Sequence, residues 1–455
     1  MSASPAWEDF AEAPPPLALL KQLPFRRLCY SRFFSRVAQN ALNLALVLLV
    51  LDATGRAFFT SLLVLALVVP MMVAGVVAGV AADAIPRRLI AALGNLARAA
   101  VCFGFIVEPG GTVSLYVVAV MLAVFGPFVS VAEGSILPSI VTRGELARAN
   151  AIGQAVGGAA QIVGFAVLTP AVLWLFDQAD VLFGIAAGLF VISALQAVRI
   201  GPVGRTREEP EGLPLSEKKT VDQSSGVEGR PVADPKFDEV PSWWKAGWRA
   251  MRRDPAVFKA AVELTLITMM FIILGGLIPT YIRDVLGLSF EIGVLVLTPA
   301  AVGLGVGLRV AGLLALRLPH GLLSSIGFGA FTALLLGLAF VNEEASFLGG
   351  YGAFAWLNNM NYENFDGGIL LAMALVLPLG FSYAIVGVAA QTVLNDRVPL
   401  VLQGRVVATQ GVMAALAASL PVLGAGALGD WIGVQPVMAI LAVSIAIATV
   451  INLRS

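Results

Sequence analysis

The sequence is poor in the residues that carry most enzymatic chemistry. Histidine occurs once, as His320, so no histidine cluster can hold a metal. Cys29 and Cys102 are far apart and lack the spacing of a metal site. There is no GxGxxG with an acidic partner, no GxxxxGKS/T phosphate loop and no HExxH helix. Missing phosphate loops argue against a self-contained ATP-driven machine, and neither an enzyme, a metal nor a cofactor is expected. Charge is scarce as well, at 13% of 455 residues, where soluble chains carry about 25%. Net charge is zero, which gives no reason to expect nucleic acid as a partner. The first residues, MSASPAWEDFAEAPPP, contain no basic stretch leading into an apolar one and do not read as a cleaved signal peptide.

Apolar residues are abundant instead. They make up 58% of the chain, and mean hydropathy is +0.88. The excess is spread over the whole length, which places the chain in the membrane class. Residues 1–20 read as a disordered arm. Six apolar runs follow, at roughly 28–51, 58–82, 89–108, 113–138, 149–173 and 179–199. Residues 201–254 break the pattern with Arg, Lys, Glu, Pro and Gly, and read as a linker. Its last part carries Trp243, Trp244 and Trp248 beside Lys245, Arg249, Arg252 and Arg253, as an interfacial amphipathic helix would. Six more runs lie at about 255–280, 288–313, 318–341, 367–392, 404–428 and 431–451. The expectation is an all-α membrane protein of twelve transmembrane helices, a bundle over 21–200 and another over 255–455. A longer loop, Asn342 to Asp366, separates the ninth and tenth spans and is placed outside, as a short lid or re-entrant segment.

Charge placement supports the count. With the N-terminus in the cytoplasm, the inner segments receive Arg87, Arg88, Arg143, Arg148, the basic linker, Arg317, Arg397, Arg405 and Arg454, and the outer loops only Arg56 and Arg283. Lys21, Arg26, Arg27, Arg32 and Arg36 form a basic cluster that precedes or enters the first span and holds the N-terminus inside. Both termini are expected in the cytoplasm of a bacterial inner (plasma) membrane.

The stretch Val77–Ile90, VAGVAADAIPRRLI, separates the second and third runs. Gly79 permits close helix approach, Asp83 can cap a helix or pair with an arginine, and Arg87 and Arg88 favour the cytoplasmic side. The halves also echo each other loosely. Residues 132–154, AEGSILPSIVTRGELARANAIGQ, and 389–410, AAQTVLNDRVPLVLQGRVVATQ, each pass through a small polar turn with Pro and Arg into a new helix. This fits two halves related by an axis along the membrane normal.

The six-plus-six pattern and the Gly79–Asp83–Arg87–Arg88 turn resemble the major facilitator superfamily. SILPSIVTRGELARANAI and NDRVPLVLQGRV resemble its branch of bacterial exporters related to the enterobactin exporter and macrolide efflux proteins. The resemblance implies a rocker-switch transporter driven by the proton gradient, with a cavity between halves lined by helices 1, 4, 7 and 10. It also implies that Gly79, Asp83, Arg87 and Arg88 gate alternating access, the alternative being a static turn. Pro86 stands where glycine is common, and the matching second-half segment, 303–321, has Arg309 and Arg317 but no Asp.

Charges inside spans are costly unless paired or wet. Arg98, Glu133 and Glu263 are the proton-coupling candidates, and each could equally be structural. Arg98 with Glu133, and Lys259 with Glu263, are possible pairs. Asn40, Asn43, Gln154, Gln161 and Gln391 are candidate cavity residues, or else interhelical hydrogen bonders. The resulting expectation is a secondary active exporter of a small amphipathic molecule, such as a drug or siderophore-like metabolite, exchanged for protons by a monomer among membrane lipids. An importer or lipid flippase of the same fold is one alternative, and a non-transporting membrane scaffold or sensor is another.

Overall fold

The computed structural model describes residues 16–142, 145–176, 178–201, 240–288, 290–315, 317–349, 367–398 and 400–454. The first bundle consists of α1 (Leu23–Thr54), α2 (Ala57–Ala84), α3 (Arg87–Val107), α4 (Thr112–Ile140), α5 (Leu146–Ile162), a π-turn (Val163–Leu168), α6 (Thr169–Phe176) and α7 (Ala179–Val198). The π-turn joins α5 and α6 into one span. Helix α8 (Val240–Arg253) leads into the second bundle: α9 (Pro255–Asp284), α10 (Phe290–Ala315), α11 (His320–Ala339), a short α12 (Val341–Gly349), α13 (Gly367–Arg397), α14 (Leu400–Ile432) and α15 (Val434–Arg454). Among the described residues eleven helices are long and apolar enough to cross a bilayer, and Val434–Val450 is a shorter apolar twelfth. This is the all-α, two-bundle architecture expected from the hydropathy.

The local reasons are visible at the helix ends. Pro24 sits in the first turn of α1, where a missing N–H costs nothing. The helix ends at Gly55, whose φ of 68° is open to glycine at little cost. Asp254 begins α9 by accepting a hydrogen bond from Ala256 N at 2.9 Å. Its carboxyl is held below its ordinary range chiefly by that bond and further by Arg397.

Three details go beyond the sequence reading. Residues Pro16–Lys21, assigned in part to the terminal arm, form a 3-10 turn, because Leu19 finds an apolar site beside Phe25, Leu28, Ile136 and Leu137. The start of the expected loop between the ninth and tenth spans is helical, α12, and Asn342 Nδ2 donates to Val285 O at 3.2 Å. The aromatic and amide residues from Trp356 to Glu363 lie outside the described residues. The amphipathic α8 forms as expected and packs its Gly247 side on α14, where an added Cβ would lie 2.2 Å from Thr409 Oγ1. Trp248 lies edge-on to Phe258, and Arg252 lies over the Trp248 ring. The side chains of Trp243, Trp244 and Lys245 are outside the described set.

The two bundles meet along α2 with α9 and α14, and along the fifth span with α10. At the end carrying the α1–α2 turn they are tightly joined. Thr60 Oγ1 donates to Gly276 O at 2.7 Å. Ser61 fits against Gly276 and Gly426, where an added Cβ would lie 2.7 and 2.5 Å from Ser61 Oγ. Only glycine lets three helices converge this closely.

Candidate functional site

Helix α1 carries a polar stripe. Arg32, Arg36, Asn40 and Asn43 are spaced by four, four and three residues, which puts them on one face. Arg32 Nε lies 3.5 Å from Glu133 Oε2 on α4. Glu133 is 2% exposed, and Ser31 Oγ donates to its other oxygen at 3.2 Å. Gly153 on α5 leaves room for the Arg32 guanidinium, since an added Cβ there would lie 2.5 Å from Nη1. Glu133 is therefore an interhelical tie between spans 1 and 4. A buried carboxylate is tolerable only with such partners.

The expected Arg98–Glu133 ion pair is not what forms. Arg98, 3% exposed, donates to Gln39 Oε1 at 3.0 Å and Ser35 Oγ at 2.7 Å, and makes a further bond to Asn95 Oδ1. Its guanidinium lies 4.5 Å from the centroid of the Phe190 ring, and its Nε has no partner. The two charges are linked indirectly. Asn95 Nδ2 donates to Ser193 Oγ at 2.9 Å, Ser193 Oγ lies 3.0 Å from Ser31 Oγ, and Ser31 donates to Glu133. One buried polar network thus joins α1, α3, α4 and α7. Helix 3 turns Arg98 towards α1 and α7 rather than α4, and that rotation decides its partners.

The other candidates are dispersed. Gln39 Nε2 donates to Asn43 Oδ1 at 2.8 Å, and Asn40 packs on Gly164 of the π-turn. Gln161 is half-buried, and the side chain of Gln154 is outside the described residues. Gln391 donates to Asn395 Oδ1 on its own helix at 3.2 Å. In the second bundle Ser324 Oγ donates to Glu263 Oε2 at 2.8 Å, tying α9 to α11. Around the turn between α2 and α3, Arg87 Nη1 donates to Ser135 O on α4 at 2.7 Å. Arg88 is half-buried. The backbones of Gly79 and Asp83 belong to α2, and the Asp83 side chain lies outside the described set.

The sequence reading missed Ser31, Ser35, Gln39, Asn95 and Ser193, which hold the network together. Serines in apolar helices are too common to signal this. It also treated Arg32 and Arg36 as a topology signal, although their four-residue spacing from Asn40 was visible.

The comparisons with known proteins agree with this architecture. The family model described as Major Facilitator Superfamily matches residues 28–420. Among solved structures, the nucleoside transporter NupG superposes with a TM-score of 0.68 at 12% identity, covering 95% of this chain and 99% of its own. A bacterial homologue of the human lysosomal transporter Spinster, inward-facing and unoccupied, gives 0.67 at 12% identity over 99% of this chain and 97% of its own. The peptide transporter POT, in complex with sulfate, gives 0.66 at 12% identity over 97% and 98%. At such identities the likeness is one of fold. No curated protein matches the sequence. The family match covers most of the chain, and with the two-bundle fold it places this protein among multi-pass membrane transporters rather than enzymes: the chain belongs to the Major Facilitator Superfamily.

Proposed function

We propose that this protein is a secondary active transporter that couples movement of a small amphipathic molecule to protons, with Glu133 as the proton carrier. The observation that supports this reading most is the Arg32–Glu133 pair. It joins spans 1 and 4 inside one bundle, and it is made of one titratable carboxylate and one fixed cation. Protonating Glu133 removes the attraction and loosens the tie, which changes the balance between conformers. Glu263 is the second carboxylate candidate, held by Ser324 in the other bundle. With the termini in the cytoplasm, the joined end at Thr60 and Gly276 is the outer one. Gly79, Asp83, Arg87 and Arg88 would then stand at the inner gate.

Export in exchange for protons is the direction implied by the exporter-like segments. Import is the second reading, and the pair itself favours it. Neutralising Glu133 leaves Arg32 without its anion, so a proton and an electron-rich solute bind more strongly together than apart.

Flux in proteoliposomes under an imposed proton gradient tests the proposal. Wild-type protein should show gradient-dependent flux of an amphipathic test solute, and Glu133→Gln should lose the gradient dependence. Unchanged coupling in both Glu133→Gln and Glu263→Gln rejects proton carriage by these carboxylates.

A further inference from the structure

We propose that Arg36 is a binding subsite for an anionic group of the transported molecule, a sulfonate, carboxylate or phosphate. The proposal rests on the transport reading above and not on its direction. Arg36 is the fourteenth residue of the 32-residue α1, so it lies about 20 Å along the helix, near its middle. It is exposed there. A charged side chain at that depth is costly in hydrocarbon and is stable where it meets water or a partner. Among the described residues it makes no hydrogen bond and no ion pair.

The surroundings fix which way it faces. The Ser31 and Ser35 side of α1 is taken by Ser193 on α7 and Arg98 on α3. Arg32 is held on one flank by Glu133 of α4, and Asn40 packs on the other flank against Gly164 of the π-turn. Arg36 lies between Arg32 and Asn40 on the remaining face, and α1 touches α9 of the second bundle. That face opens on the space between bundles.

The charge balance supplies the ligand class. Arg32, Arg36 and Arg98 are gathered around one acid, Glu133, which is used by Arg32. Arg98 is satisfied by neutral oxygens and still has its buried Nε unpartnered. In the second bundle Lys259 lies on α9, and Glu263 accepts from Ser324 of its own bundle. The excess is positive, and a guanidinium with free donors in a partly dry space selects anions through paired hydrogen bonds.

The test uses naphthalene-2-sulfonate against its neutral analogue naphthalene-2-methanol. Thermal-shift titrations are run on the full-length protein in phosphatidylcholine nanodiscs, and again with phosphatidylglycerol added. The sulfonate should stabilise the wild type, bind Arg36→Gln about tenfold or more weakly, and recover in part in Arg36→Lys. The neutral alcohol should show no dependence on Arg36. If phosphatidylglycerol weakens sulfonate binding in wild type but not in Arg36→Gln, the subsite also takes a lipid headgroup. No effect of phosphatidylglycerol assigns it to free solutes. Equal sulfonate affinity in wild type and Arg36→Gln overturns the proposal. Proteoliposome flux separates the two readings. Arg36-dependent binding without flux keeps the subsite and removes transport, whereas flux of neutral solutes unaffected by Arg36→Gln keeps transport and removes the subsite.

Discussion

The Asp430 carboxylate at the end of α14 caps α2 in the opposite bundle, accepting from Ala57 N at 2.6 Å and Phe58 N at 3.1 Å. These N–H groups have no partner within α2, and the positive end of its dipole meets a negative charge. Arg283 Nη2 adds a bond to Gly55 O at 2.9 Å beside it. The cap is a clasp across the two bundles.

Asp430→Ala should therefore favour the form in which this end is parted. Loss of an N-cap costs about 1 kcal/mol, a shift of about fivefold in the conformer ratio. Spin labels at Asp52→Cys and Trp431→Cys, both exposed positions, report it by pulsed distance measurement. An unchanged distance distribution would mean that the cap has no part in holding the bundles together.

Gly426 gives a steric version of the same experiment. A Cβ there would lie 2.5 Å from Ser61 Oγ and 2.8 Å from Ala57 O, whereas at Gly424 nothing lies within 4 Å. Gly426→Ala should part the joined end at a cost of about 1–3 kcal/mol, and Gly424→Ala should leave the label distance unchanged. The matched pair removes helix propensity as an explanation.

The buried network predicts a stability effect. Ser193 accepts from Asn95 and bonds to Ser31 and to its carbonyl at 2.8 Å. Ser193→Ala leaves Asn95 Nδ2 with only its bond to Ala91 O and should destabilise the protein by about 1–2 kcal/mol, read as a lower melting temperature. Arg98→Lys should also lose stability, because one ammonium cannot reproduce a planar fork held by Gln39, Ser35 and Asn95.

Acid should loosen the junction of α8 and α9. The Asp254 carboxyl is shifted down on folding, first by Ala256 N and then by Arg397. A lowered folded value means that its contribution is complete above the unfolded value of about 3.9 and is lost as pH falls through the folded one. Hydrogen exchange at Ala256 should accelerate below about pH 4 in the wild type, while Asp254→Ala, which removes the acceptor, should be fast at every pH.

Long apolar runs and the sign of the charges between them made the two-bundle plan readable from sequence, since both express the cost of polar groups in hydrocarbon. Glu133 and Glu263 stood out for the same reason. Their partners did not. Arg32 is 101 residues from Glu133, and whether Arg98 turns to α1 or α4 depends on helix rotations that no local pattern records. The end of the bundle was equally hidden. Asp430 reads as an ordinary helix-terminal acid, and its role exists only because α2 starts beside it. At the turn between α2 and α3, Arg87 finds a carbonyl on α4, a partner set by packing and not by its neighbours in sequence.

The π-turn at Val163–Leu168 has a consequence for the phase of the fifth span. It holds more residues than an α-turn, so the side chains after it are set back by about 100° from where an uninterrupted helix would put them. Gly164 abuts the backbone of α1, and Thr169 Oγ1 reaches Ala41 O at 3.3 Å and Gly164 O at 3.0 Å. The attachment at Thr169 depends on that setback, and the one at Gly164, at the start of the turn, does not. The fifth span is in effect two half-helices with separate angular registers, and deleting a single residue from the turn would twist one half out of phase with α1 while leaving the other in place.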